Sequence, residues 1–134
     1  MSTTNEKYGI FRRVDMPYEQ AIARITETLK EQGFGVLTEI DVSTTLKAKI
    51  DKDFTPYKIL GACNPPLAFR ALSEEIDIGL LLPCNVTVYT DPKNGETVVS
   101  AIDPAVLVDV TGRKDLEPIA AEVKGKLTAA LDAM

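Results

Sequence analysis

Between Asp15 and Gly33 the apolar residues Tyr18, Ala21, Ile22, Ile25 and Leu29 recur at intervals of three and four. That spacing lines one face of an α-helix; a strand, whose period is two, would scatter the same residues over both faces. Asp15 is placed to cap the helix, Pro17 is tolerated in its first turn, and Gly33 closes it. A helix with one apolar stripe must lay it against another element. The runs on either side, Tyr8–Val14 and Phe34–Ile40, read as strands. The stripe is therefore read as core, and the chain as helices layered on a sheet.

The rest of the sequence extends that pattern. Asp41 is positioned to cap a short helix over Val42–Ile50, with Leu46 and Ile50 facing inward, and Asp51-Lys52-Asp53 reads as a solvated turn. Tyr57–Ala62 is a third strand. Asn64 then caps a short helix that opens with Pro65, presents Leu67, Ala68, Ala71 and Leu72 inward, and ends near Glu75. Ile76–Leu82 returns the chain to a strand at Cys84–Tyr89. Asp91-Pro92-Lys93-Asn94-Gly95 is a hairpin turn, with Glu96–Ile102 as the partner strand. Asp103-Pro104 breaks that strand, and the pattern assigns no type to the apolar stretch Ala105–Val110. A last helix runs from about Arg113 to Ala133, with Leu116, Ile119, Val123, Leu127 and Leu131 as its buried stripe. Pro118 belongs in its first turn, which places a cap near Asp115, and Gly125 falls on the opposite face. The fold class is α+β: a mixed, mainly antiparallel sheet with two long helices and the short ones packed on one face, in the order β-α-β-(α)-β-α-β-β-α. With 134 residues and no linker, residues 1–134 form one domain, 1–7 being a loose N-terminal segment.

Composition removes several chemistries. The chain has no histidine, so Ser-His-Asp and Cys-His nucleophiles in their usual form are excluded, as is the commonest zinc and haem ligand. Its two cysteines cannot close a four-ligand structural zinc site. No Gly-rich phosphate loop is present. No cofactor, metal or catalytic residue is identified. A net charge of −5 repels a phosphate backbone, so no nucleic-acid partner is expected, and Arg12-Arg13 reads as an exposed strand end. The longest apolar run, Ile78–Cys84, is far shorter than a membrane span and contains Gly79 and Pro83. The polar residues 1–7 lack the apolar stretch of a secretory signal. The expected location is cytoplasmic, with both cysteines reduced.

Each cysteine is followed by asparagine: Cys63-Asn64 before a helix and Cys84-Asn85 at a strand start. The separation is not that of a CxxC metal or redox motif, so any partnership must come from the fold. If Asn64 caps a helix, Cys63 lies at its positive N-terminus, where a thiolate or a bound anion is favoured. Arg70 on the cap helix and Lys58 on the preceding strand are placed to complete such a pocket. Against this stands the plainer reading of both cysteines as small buried hydrophobes, both asparagines as cap and turn residues, and both cations as surface charges. The leading function is thus a binding module for a small molecule or anion around Cys63, Asn64, Cys84 and Asn85. The alternatives are a thiol redox enzyme or sensor, a soft-metal site such as Cu(I) held by Cys63 and Cys84, and a purely structural or interaction domain.

The stretch Tyr57–Ala68, containing Gly61-Ala62-Cys63-Asn64-Pro65-Pro66, followed by Ile78–Val86 with Leu82-Pro83-Cys84-Asn85, resembles the bacterial and archaeal family known as domain of unknown function 302. The element order and the Asp103-Pro104 break are similar as well. The resemblance implies an α+β sheet of the TATA-binding-protein-like group and a homodimer; a fold likeness of that sort implies no DNA binding. It brings no catalytic residues with it. Some relatives carry histidine or tyrosine at the position of Phe69, and phenylalanine leaves no metal or acid–base role there.

Overall fold

The computed structural model describes residues 8–134; the expected loose segment 1–7 lies outside the described residues. The elements run β1 (Gly9–Val14), α1 (Tyr18–Glu31), β2 (Gly35–Asp41), α2 (Val42–Ile50), β3 (Tyr57–Cys63), α3 (Pro65–Glu74), β4 (Cys84–Thr90), β5 (Thr97–Ile102), α4 (Ala105–Thr111) and α5 (Glu117–Asp132). Short 3₁₀ segments at Ile76–Leu81 and Lys114–Leu116 precede β4 and α5. The strands form one sheet in the order β1-β5-β4-β3-β2, and every neighbouring pair is antiparallel. The α+β class is as expected, with no parallel ladder among the described residues. β1 and β2, joined by α1, lie at opposite edges of the sheet, and α1 packs against β2, β4 and β5 as it crosses between them.

Strand alternation decides which side chains meet the helices. Leu60 and Ala62 of β3, Val86 and Val88 of β4, and Val99 and Ala101 of β5 share one face and are buried. Ile25 and Leu29 of α1 and Leu127 and Leu131 of α5 fill the same core. Fully burying an aliphatic side chain of this size is worth about 1.5–3 kcal/mol, so the two helical stripes account for much of the adhesion between layers. Gly33 closes α1 at φ +87°, a conformation that glycine adopts without steric cost, and Phe34 after it is buried.

The caps divide into those read correctly and those not. Asp41 caps α2: its Oδ1 accepts from the Thr44 amide at 3.0 Å and from the Ser43 hydroxyl at 3.0 Å, holding the carboxyl below its ordinary range. Asp15 does not cap α1, because the helix starts only at Tyr18, after an extended Pro17 whose carbonyl accepts from Ala21. Asp115 does not cap α5. It sits in the preceding 3₁₀ turn, bonded to the Arg113 guanidinium at 2.6 and 3.0 Å, and α5 opens only at Glu117 with Pro118 in its first turn. Ile50, expected inside, is 59% exposed: α2 packs against β2 and β3, is short, and buries none of its residues. The unassigned stretch Ala105–Val110 lies within α4. Asp103 before it accepts from the Ala105 amide at 3.0 Å and pairs with Lys124 of α5 at 3.0 Å. No helix among the described residues is long and apolar enough to cross a membrane.

Candidate functional site

The two Cys-Asn dipeptides reach the same end of the sheet by different routes. β3 ends at Cys63, and Asn64 turns the chain into α3. The Asn64 side chain Oδ1 accepts from the Leu67 amide at 3.4 Å, and its Nδ2 donates to the Gln32 carbonyl at 3.2 Å. One buried amide therefore satisfies a donor at the start of α3 and an acceptor just beyond the end of α1. Gly33 makes room for it, since a Cβ at that position would lie 3.0 Å from Asn64 Nδ2.

Cys84 opens β4 after a cis Leu82-Pro83 peptide. Its ladder partner is Ala62, which puts Cys84 on the helix-facing side, while Asn85 pairs with Gly61 and turns to the opposite face, exposed. Gly61 is required there: a Cβ would run into the Thr38 hydroxyl and stand 2.8 Å from Pro83 Cγ.

Cys63, Asn64 and Cys84 line one cavity of about 50 Å³, closed by Leu67, Ala68 and Ala71 of α3 and by Ile119 and Val123 of α5. The pairing Ala62–Cys84 makes the two cysteines neighbours across the ladder, and both are free thiols. Burial, and secondarily the charge of Cys63, push the Cys84 thiol up to about 11. At neutral pH Cys84 is therefore a protonated, apolar wall residue rather than a nucleophile.

The anion reading meets a shortage of donors. Pro65 and Pro66 have no N–H, the Leu67 amide is taken by Asn64 Oδ1, and the Ala68 amide donates to the Asn64 carbonyl at 2.8 Å. Every amide of the first turn of α3 is absent or committed. The proposed cations are elsewhere. Lys58 is five residues back along β3, ~16 Å at strand spacing, and pairs with Glu39 at 3.4 Å. Arg70 is exposed and pairs with Glu122 of α5 at 2.9 Å. Phe69 is also exposed, at 72%. Of the six residues singled out in the sequence, the fold brings three to the cavity and leaves Asn85, Lys58 and Arg70 outside it. The walls supplied by Ile119, Val123 and Leu107 were visible only as apolar residues; their helical spacing gives a face but not the neighbour that face meets.

Residues 10–134 match the family described as Domain of unknown function DUF302. A crystal structure of an uncharacterized conserved DUF302 protein from Bacillus stearothermophilus superposes with a TM-score of 0.88 at 36% sequence identity, covering 94% of this chain and 97% of that one. No curated protein matches. The match along the sequence and the shared fold agree, and the chain belongs to the DUF302 family.

Proposed function

We propose that this protein is a small-molecule-binding domain that receives an apolar ligand, or the apolar tip of a larger one, in the cavity between the two cysteines and helices α3 and α5. The supporting observation is that both cysteine motifs frame one apolar space whose polar groups are already spent. Asn64 is bonded to Leu67 and Gln32, and the Cys84 thiol is held neutral. Such a lining offers dispersion contacts and soft sulfur, and the first turn of α3 has no uncommitted backbone amide to hold an anion. At about 50 Å³ the cavity is roughly a third of one that admits benzene, so it suits a methyl-sized group or a single heavy atom.

Xenon is the matching probe. Titrated into isotope-labelled protein, it is expected to shift the methyl resonances of Ala68, Ala71 and Val123 saturably, and Ala71→Leu, which fills the space, is expected to abolish the response. Methyls that ignore xenon, or respond equally in Ala71→Leu, would sink the reading.

A further inference from the structure

We infer that the sheet face turned away from the helices carries a second binding site, a groove that takes an uncharged pyranose sugar. The site does not depend on the cavity, which lies on the helical side of the sheet. Alternation that sends Leu60, Val86 and Val99 into the core sends Tyr57, Tyr89, Thr87, Ser100 and Phe11 to the open face. With Tyr8 these rings wall an open groove of about 470 Å³, within the range of small-molecule clefts. Its floor is Asn85, Thr87 and Ser100. The chain has four tyrosines and four phenylalanines, and half of these rings line this one groove.

The walls supply flat faces. Tyr57 and Tyr89 stack on β3 and β4, with ring centroids 5.2 Å apart and planes at 6°. On β1, beyond β5, Phe11 lies over Gly9, where a Cβ would come within 2.7 Å of the ring. An aromatic face is partially negative and attracts the C–H bonds that cover the faces of a sugar ring, which neighbouring oxygens polarise. The floor supplies the polar half. Ser100, only 8% exposed, shares a hydroxyl bond with Thr87 at 2.6 Å, and either oxygen can be the donor. Two hydroxyls carry two hydrogens and that bond uses one; among the described residues the other has no protein partner. The spare hydrogen, and the exposed Asn85 amide beside it, are left to whatever fills the groove. Because the hydroxyl pair can reverse, it donates to a ligand hydroxyl or accepts from one, which suits an alcohol. A nucleobase edge has fixed donors and acceptors and is read by groups of fixed polarity.

Charge narrows the class further. Charged residues make up 26% of the chain, yet among the ladder-paired residues on this face Arg13 is the one charged side chain. It is spent on Asp91 at 3.1 Å and Glu96 at 3.7 Å. None of the residues lining the groove is charged. A phosphate, carboxylate or amine would lose hydration there without meeting a counter-charge. A neutral sugar exchanges its water bonds for those of the floor.

Maltose, cellobiose and N-acetylglucosamine, titrated into isotope-labelled protein, test this. At least one is expected to shift the Thr87 methyl and the Tyr89 and Phe11 ring resonances saturably, with a Kd on the order of 1 mM. Asn85→Ala, at an exposed floor position, is expected to weaken that binding about tenfold by removing a hydrogen bond to the ligand. Tyr89→Ala, which removes a wall, is expected to weaken it at least as much, with circular dichroism reporting whether it folds; if it does not, Asn85→Ala decides. Ala71→Leu, which fills the cavity, is expected to leave the sugar titration unchanged, so the two sites stand or fall separately. No saturable shift with any of the three sugars up to ~100 mM overturns the inference. So does binding undiminished in Asn85→Ala, or a response to adenosine with none to the sugars.

Discussion

Cys63-Asn64 and Cys84-Asn85 are the same dipeptide placed at the same end of one sheet, and they do opposite work. In the first, the asparagine is buried and joins two helices, while its cysteine is only half-buried. In the second, the cysteine is buried and the asparagine stands exposed on the far face. The difference is set by the next residues in the chain. Pro65-Pro66 turns the first pair out of the strand and into a helix, where the asparagine becomes a cap. Val86-Thr87-Val88 keeps the second pair in the strand, where alternation must send adjacent residues to opposite faces. A repeated motif is thus no guide to a repeated role.

The two motifs should diverge most at their asparagines. Asn64→Ala removes the cap on Leu67 and the bond to Gln32, both in buried surroundings, and is expected to cost about 2 kcal/mol. Asn85→Ala is expected to change stability by less than about 0.5 kcal/mol. Paired urea titrations measure both, and equal losses would erase the distinction.

The cysteines should show a smaller and reversed asymmetry. Cys84→Ser places a hydroxyl against the apolar lining, with an expected cost of about 1–2 kcal/mol. Cys63→Ser, half-exposed, is expected to cost less than half as much. Thermal unfolding of the two variants side by side would show it, and a Cys63→Ser loss exceeding that of Cys84→Ser would contradict the burial assignment.

The smallest effect is alkaline. The Cys84 thiol is raised from its ordinary 9.0 to about 11 in the fold, so it keeps its proton where the unfolded chain gives it up. Its stabilising contribution is complete below pH 9 and lost as pH rises through about 11. Tyr18, raised to about 12 chiefly by burial, acts with the same sign slightly higher. Cys84→Ala is expected to shallow the decline in unfolding free energy between pH 9 and 11. An unchanged slope in that variant would remove Cys84 as a contributor.

Much of the fold was legible along the chain. The stripes of α1 and α5, the hairpin at Asp91–Gly95, Gly33 and the caps at Asp41 and Asn64 depend on neighbours within a few residues, and each was found where its residues stand. The caps expected at Asp15 and Asp115 failed because the cap positions fall later in the chain, at Pro17 for α1 and Leu116 for α5. Ile50 failed because helical spacing predicts a face without saying whether anything lies opposite it. The candidate site divides in the same way. The local role of Asn64 was readable, whereas the separation of Lys58, Arg70 and Asn85 from the cavity was not.

What this sequence determined by itself is the set of short-range choices: which segments are helix or strand, where three of them start or stop, and the exclusion of histidine chemistry. The tertiary structure alone decided that Cys63 and Cys84 share a cavity, that Gln32 completes the bonding of Asn64, and that charge is nearly absent from one sheet face. The reason is range. Periodicity and caps act over three or four residues, whereas the pairing of Ala62 with Cys84 and the bond from Asn64 to Gln32 join residues more than twenty apart, and only packing chooses among such partners.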